Sequence, residues 1–147
     1  MTAEDLTKYG LVPAARVRIE DRKLIIDITD SNTVDLEGCI YAFLIGGKVV
    51  RIGSSKAPLR GRLKNYERHI THALKGEKSP APAQEAEKWS ELLPAGKSGD
   101  IYARQGTMVT TSPVGNFRAY MDEESILIGK LFSEEPHDHI LNRCKYR

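Results

Sequence analysis

The stretch from residue 39 to residue 53, CIYAFLIGGKVVRIG, constrains the fold more than any other part of the chain. Two apolar runs flank a Gly46-Gly47 pair, and this pattern predicts a β-hairpin. The first run carries Tyr41 and the second carries Arg51. A two-residue turn would place these side chains on opposite faces, whereas a three-residue loop or a β-bulge would place them on one face. Glycine serves either loop, so the sequence leaves this register open.

The remaining patterns predict a mixture of strands and helices, which indicates an α+β domain. Residues 1–15 look irregular, apart from at most one short helical turn. Pro58 suits the entry to a helix. The predicted strands are Val17–Glu20, Lys23–Ile28, Ile101–Gln105 and Thr107–Thr111, and the predicted helices are Leu59–Leu74, Gln84–Leu93 and Asp122–Phe132. Residues 94–100 are expected to form a glycine-rich turn.

Length and composition favour one compact domain over residues 1–147. Apolar residues make up 40% of the chain, and no apolar run is long enough to span a bilayer. The N-terminus lacks the basic and apolar regions of a signal peptide, so we expect a cytoplasmic protein without a membrane partner. The two cysteines, Cys39 and Cys144, have no metal-like spacing and are expected to be free thiols. His137 and His139 are more typical of a polar tail than of a ligand pair.

Positive charge is concentrated between residues 48 and 78, where nine basic residues face only two acidic ones. Such a segment is typical of a surface that binds a polyanion, and it is equally typical of a solvated helix face. Within it, Arg62, Tyr66 and His69 stand at i, i+4 and i+7 and are therefore expected to share one helix face. Charge alone does not separate the two interpretations.

Glu124 is the unusual residue of the last predicted helix. Its neighbours at helical spacing are Met121, Leu127, Ile128 and Leu131. A carboxylate inside an apolar stripe points to the interior or to the edge of a cleft, where it needs a cation. A helix N-terminus also favours acids, but Asp122 or Glu123 can fill that role.

The order of these motifs resembles that of the GIY-YIG nuclease superfamily. The matching segments are Cys39-Ile40-Tyr41, Arg51-Ile52-Gly53, the run from Leu59 to Leu63, the run from Glu124 to Ile128, and Leu141-Asn142. The resemblance covers residues 38–142 and implies a small antiparallel sheet flanked by helices. Residues 1–37 are then an N-terminal hairpin extension, and 38–142 are the nuclease core.

The resemblance implies hydrolysis of DNA phosphodiester bonds with one divalent cation, Mg²⁺ or Mn²⁺, and no small-molecule cofactor. Tyr41 matches the tyrosine that acts on the attacking water, Arg62 the helix arginine, and Glu124 the metal ligand. Tyr66 stands one turn after Arg62, where several members carry a histidine, and His69 is the alternative residue for that role. Because free tyrosine has a pKa of about 10, we expect nearby positive charge, from Arg51 and the metal, to make Tyr41 a base. The residues expected to bind DNA are Lys56, Arg60, Lys64, Arg68 and Asn142.

Two departures from the family pattern keep other functions open. Cys39 replaces a glycine, and Arg51 replaces the tyrosine of the second motif. Arg51 either organises the water or phosphate, or marks a non-catalytic nucleic-acid-binding module on the same fold. A third interpretation is an unrelated α+β domain with a solvated basic helix. For a nuclease, cutting both strands favours a homodimer, and the N-terminal hairpin and residues 76–100 are the candidates for sequence specificity.

Overall fold

A five-stranded antiparallel sheet organises the chain. The structure is a computed structural model, and it describes residues 1–134, 136 and 140–142. The strands lie in the spatial order β2-β1-β5-β3-β4, and every neighbouring pair is antiparallel. Their bounds are β1 Val12–Glu20, β2 Lys23–Ile28, β3 Cys39–Ile45, β4 Lys48–Ser55 and β5 Ser98–Gln105. The N-terminal hairpin belongs to this sheet, because β1 pairs with β5 as well as with β2.

Helices cover both faces of the sheet, which confirms the predicted α+β architecture. One apolar cluster packs α3 and α4 on the sheet, and a second packs α1 and α5 on the other face. Side chains of β3 alternate between the two clusters, as the period of a strand requires, so all seven of its residues are buried. The helices are α1 Ala3–Lys8, α2 Ser31–Val34, α3 Leu59–Leu74, α4 Ala83–Leu92 and α5 Tyr120–Glu134, and a small hairpin pairs β6 Met108–Val109 with β7 Phe117–Arg118.

The turn of the central hairpin has two residues, and a β-bulge follows it. Gly46 and Gly47 both have positive φ, at 60° and 80°, which this tight turn requires. Leu44 pairs with Val49, but the next pair is Phe43 with Arg51, so Val50 is the extra residue. The bulge turns Arg51 to the face that carries Tyr41 and Phe43. Of the arrangements that the sequence left open, the structure adopts the one with a bulge.

The predicted elements are present, but several bounds differ. Residues 1–15 are more ordered than expected: a capping box between Thr2 and Asp5 starts α1, and β1 begins at Val12. β5 begins at Ser98, inside the predicted turn, so Gly99 belongs to the strand and not to the turn. A Cβ on Gly99 would lie 2.8 Å from the Leu44 carbonyl oxygen, so this glycine permits close strand packing.

The apolar stripe of α5 agrees with the sequence at three of its four positions. In α5, Leu127, Ile128 and Leu131 are buried as expected, but Met121 is 63% exposed because it lies in the first turn, beyond the edge of the packed stripe. His137, His139 and Cys144 lie outside the described residues. No helix in the part of the chain that the structure describes is long and apolar enough to cross a membrane.

Candidate active site

A cleft of about 540 Å³ opens between the central hairpin and helices α3, α4 and α5. Every residue predicted to be catalytic lines it, together with Asn142, Glu85 and Asn65. The predicted catalytic residues in the cleft are Tyr41, Arg51, Arg62, Tyr66, His69 and Glu124. Residues up to 101 positions apart in sequence therefore meet in one concave surface.

Tyr41 lies at the floor of the cleft and is 3% exposed. It pairs across the hairpin with Gly53, and a Cβ on Gly53 would lie 2.4 Å from the Tyr41 hydroxyl oxygen and Cζ. The glycine therefore leaves the space in which the phenol ring lies. The Tyr41 hydroxyl is hydrogen-bonded to the hydroxyl of Tyr66 at 2.8 Å.

Burial raises the pKa of Tyr41 well above its usual value, and the neighbouring Tyr66 raises it further. The charges of Arg51 and Arg62 oppose this shift without reversing it. Arg51 lowers the pKa of Tyr41 as expected, but burial outweighs it, so the protein groups alone do not make Tyr41 a base. The contribution expected from the metal stays a prediction. Tyr41 keeps its proton at neutral pH and is suited to pass a proton through the hydroxyl of Tyr66.

Arg51 extends from β4 over the ring of Tyr66, with its Cζ 5.2 Å from the ring centroid. Its Nη1 donates to Glu85 Oε1 at 2.7 Å and to the Leu141 carbonyl oxygen at 3.4 Å. Its Nε is buried and has no hydrogen-bond acceptor among the described residues. Arg51 is thus a partly buried cation held by one carboxylate and one aromatic ring.

Adjacent acids on α5 have different surroundings. Glu123 accepts hydrogen bonds from Arg104 Nη2 at 2.7 Å and from the Thr107 backbone at 2.7 Å. Arg104 is the main cause of a lowered pKa at Glu123. Glu124 lines the cleft and makes no hydrogen bond or ion pair with the residues that the structure describes. Glu123 fixes the start of α5, which leaves Glu124 available for a cation.

Arg62, Tyr66 and His69 face the cleft from α3, in agreement with their helical spacing. The exposed guanidinium of Arg62 has no hydrogen-bond or ion-pair partner within the described ranges. His69 Nε2 lies 3.5 Å from Arg68 Nη2. Arg62 is therefore a free planar donor at the mouth of the cleft, a geometry suited to phosphate oxygens.

Asn142 lines the cleft through a side chain that pairs with the edge of β4. Its Oδ1 accepts from the Ile52 backbone N–H, and its Nδ2 donates to the Ile52 carbonyl, both at 2.8 Å. The neighbouring Leu141 N–H donates to Val50 at 2.6 Å. The amide thus holds the C-terminal segment against the strand that carries Arg51, and its contact with DNA stays a prediction.

The other basic residues predicted to bind DNA lie outside the cleft. Arg60 forms a two-point ion pair with Asp35, at 2.8 Å and 3.1 Å. Arg68 donates to Asn65 at 3.0 Å. Lys56 and Lys64 are exposed, and neither has a partner in the described part of the chain. Of these four cations, the two lysines are the most available to phosphates.

Glu85 is the charged cleft residue that the sequence did not single out. It lies on α4, one turn before the buried Trp89. Because residues at i and i+4 share a helix face, the burial of Trp89 places Glu85 on the inward face. Nothing in the sequence indicates that Glu85 pairs with Arg51, because the two residues are 34 positions apart in the chain.

The donor set fits a weakly held divalent cation better than a cage of protein ligands. No group of three or more His, Cys, Asp or Glu side chains that could hold a metal occurs among the described residues. Glu124 is a cleft carboxylate without a partner in the described part of the chain, whereas Glu85 is engaged by Arg51. Mg²⁺ commonly takes one or two carboxylates, with waters and substrate phosphate oxygens completing its shell. Glu124 fits that role.

Solved structures share this fold, although no family model and no curated protein matches the sequence. A mutant of bacteriophage T4 EndoII matches with a TM-score of 0.62 and 22% identity, over 95% of this chain and 98% of that one. Restriction endonuclease HPY188I in complex with product DNA matches with a TM-score of 0.56 and 20% identity, over 100% of this chain and 87% of that one. The chain is therefore similar in fold to bacteriophage T4 EndoII and to a restriction endonuclease.

Proposed function

We propose that this chain is a metal-dependent DNA endonuclease of the GIY-YIG type. The observation that carries the proposal is the convergence of Tyr41, Arg62 and Glu124 in one cleft, with the last two free of partners among the residues that the structure describes. The fold likeness adds support, because one similar structure is a restriction endonuclease bound to product DNA. DNA is accordingly the proposed substrate.

Each cleft residue has a distinct proposed task. Glu124 would hold Mg²⁺ or Mn²⁺, which when bound would stabilise charge on the phosphate and its leaving oxygen. Arg62 offers its donors to the phosphate oxygens, whose negative charge grows in the transition state. Tyr41 accepts a proton from the attacking water as its own proton passes to the hydroxyl of Tyr66, which releases its proton to solvent water in the cleft, so no free phenolate is required.

Positive charge around the cleft supports binding of a polyanion. Lys56 and Lys64 are exposed and would contact backbone phosphates without reading sequence. Concerted cleavage of both strands by chains with one site each favours two copies, so a homodimer on DNA is part of the proposal. Light scattering of the chain with and without a cleaved duplex measures this directly.

The test is incubation of the purified chain with supercoiled plasmid and with phage-length DNA, in Mg²⁺, in Mn²⁺ or in EDTA. Glu124→Gln removes the proposed ligand, and Asp122→Asn makes the same change in charge at an exposed position of the same helix. We expect metal-dependent cleavage by the wild type and by Asp122→Asn, and none by Glu124→Gln. Cleavage that survives in EDTA or in Glu124→Gln would overturn the proposal.

A second candidate is a non-catalytic nucleic-acid-binding module. The observation in its favour is Arg51, which stands at the position of the second-motif tyrosine and is already bound to Glu85. This candidate predicts salt-sensitive DNA binding that does not respond to Mg²⁺ or to Glu124→Gln. Binding without cleavage under every metal condition would favour it.

A further inference from the structure

Glu85 forms the best-protected ion pair of the cleft. The side chains of Arg51 and Glu85 are 25% and 14% exposed, and Arg51 Nη1 lies 2.7 Å from Glu85 Oε1. Arg60 and Asp35, by contrast, are both more than a third exposed, and the Arg104–Glu123 pair outside the cleft is the other shielded pair among the described residues. A pair this shielded holds its geometry better than a surface pair, because solvent competes less for its charges.

The pair lies at one end of a continuous chain of contacts. Glu85 binds Arg51, the guanidinium of Arg51 stands over the ring of Tyr66, and the hydroxyl of Tyr66 binds that of Tyr41. Nη1 of the guanidinium donates to Glu85 and more weakly to Leu141, and Tyr66 is a further partner of the same cation. Among the described residues, Glu85 is the one carboxylate that holds Arg51 over Tyr66.

A carboxylate in this place is unfavourable for binding DNA. Glu85 lines the same cleft as Arg62 and Glu124, so its negative charge opposes an approaching phosphate. If charge were its only effect, its removal would strengthen DNA binding and leave the reaction unharmed. If Glu85 orients Arg51, its removal lowers the rate instead, since positioning contributes to the chemical step.

We infer that Glu85 is a positioning residue, which holds the Arg51 guanidinium over Tyr66 so that Arg51 and Tyr41 act together on the scissile phosphate. This inference rests on the proposed nuclease function and makes helix α4 part of the active site. Glu85 touches neither the substrate nor the metal. Its effect on the reaction passes through Arg51.

The kinetic test compares Glu85→Gln with Glu87→Gln, an equal change in charge at an exposed position of the same helix. Loss of a residue that orients a catalytic group typically costs about 10- to 100-fold in activity. We expect Glu85→Gln to lower kcat by that factor while its KM for DNA stays unchanged or falls. Glu87→Gln should keep the wild-type kcat. An unchanged kcat in Glu85→Gln would overturn the inference.

Glu85→Asp separates position from charge and also serves if the glutamine variant folds poorly. It keeps the carboxylate but shortens the side chain by one methylene, so the ion pair with Arg51 must lengthen or move. A positioning role predicts a reduced kcat in Glu85→Asp with unchanged DNA affinity. Wild-type kcat in this variant would mean that charge alone matters, and the inference would fail.

A measurement without DNA distinguishes failure of this inference from failure of the proposed function. Guanidinium NMR of the wild-type chain reports whether rotation about the Arg51 Nε–Cζ bond is restricted. We expect separate, slowly exchanging Nη signals for Arg51 in the wild type and in Glu87→Gln, and averaged signals in Glu85→Gln. If the wild type cleaves no DNA, the proposed function fails, yet this readout still tests the ion pair. Averaged Arg51 signals in the wild type would overturn the inference.

Discussion

Gly53 is the residue whose replacement tests the packing of the cleft most sharply. A Cβ at this position would lie 2.4 Å from Cζ and from the hydroxyl oxygen of Tyr41. Carbon atoms in contact are normally about 3.5–4.0 Å apart, so the ring of Tyr41 must move by about 1 Å. The rings of Phe43 and Tyr66, with centroids 6.1 Å and 5.9 Å from that of Tyr41, restrict this movement.

The magnitude for Gly53→Ala follows from two costs. Overpacking of a core typically costs about 1–3 kcal/mol. The shift also disturbs the 2.8 Å hydrogen bond between Tyr41 and Tyr66, whose loss costs about 1 kcal/mol. We therefore expect Gly53→Ala to lower the free energy of unfolding by about 2–4 kcal/mol.

Urea denaturation of Gly53→Ala beside Gly129→Ala measures this cost with a matched control. A Cβ on Gly129, inside α5, has no atom within 4 Å, so the same substitution should stabilise the chain by about 0.5–1 kcal/mol. Tyr41→Leu should partly relieve Gly53→Ala, so that the double variant loses less than the sum of the singles. Wild-type stability of Gly53→Ala, or strict additivity with Tyr41→Leu, would refute the reasoning.

Arg62, Glu123 and Cys39 provide three further tests. Arg62→Ala should change the free energy of unfolding by less than about 0.5 kcal/mol while lowering cleavage at least about 100-fold; a large loss of stability would contradict the assignment. Arg104 holds the pKa of Glu123 below its ordinary 4.5. The ionised Glu123 therefore stabilises the fold fully above pH 4.5, and this stabilisation is lost as the pH falls through the lowered pKa of the folded state. The difference in unfolding free energy between wild type and Glu123→Gln should therefore shrink from about pH 6 to about pH 3, and a constant difference would contradict it. Burial raises the pKa of Cys39 to about 11, so in a Cys144→Ser variant a thiol reagent should react only after unfolding, and fast labelling of the folded chain would refute this.

The sequence predicted the main elements of the fold because their patterns are local. The Gly46-Gly47 pair and its apolar flanks specify the hairpin within 15 residues. The bulge at Val50 could not be predicted, since it depends on how both faces of β4 pack in the finished sheet. That single extra residue decides whether Tyr41 and Arg51 share a face.

Some site residues could be predicted from local spacing, whereas others depend on partners far away in the chain. The spacing of Arg62, Tyr66 and His69 placed them on one face, because helical periodicity is local. The difference between Glu123 and Glu124 depends on Arg104, which reaches α5 from the middle of the sheet. Long-range partners of this kind, including that of Glu85, leave no periodic trace in the sequence. The same reason explains why the pairing of Arg60 with Asp35 was not foreseen.

The most direct test of the central claim is the single-turnover cleavage rate of a short labelled duplex, with the chain in excess, at rising Mg²⁺ concentration. The duplex is taken from a site that the wild type cuts in long DNA. We expect the wild-type rate to saturate with Mg²⁺, and Glu124→Gln to be slower by at least about 100-fold at saturation, with unchanged duplex affinity. Equal rates for wild type and Glu124→Gln would contradict the assignment of this cleft as a metal-dependent nuclease site.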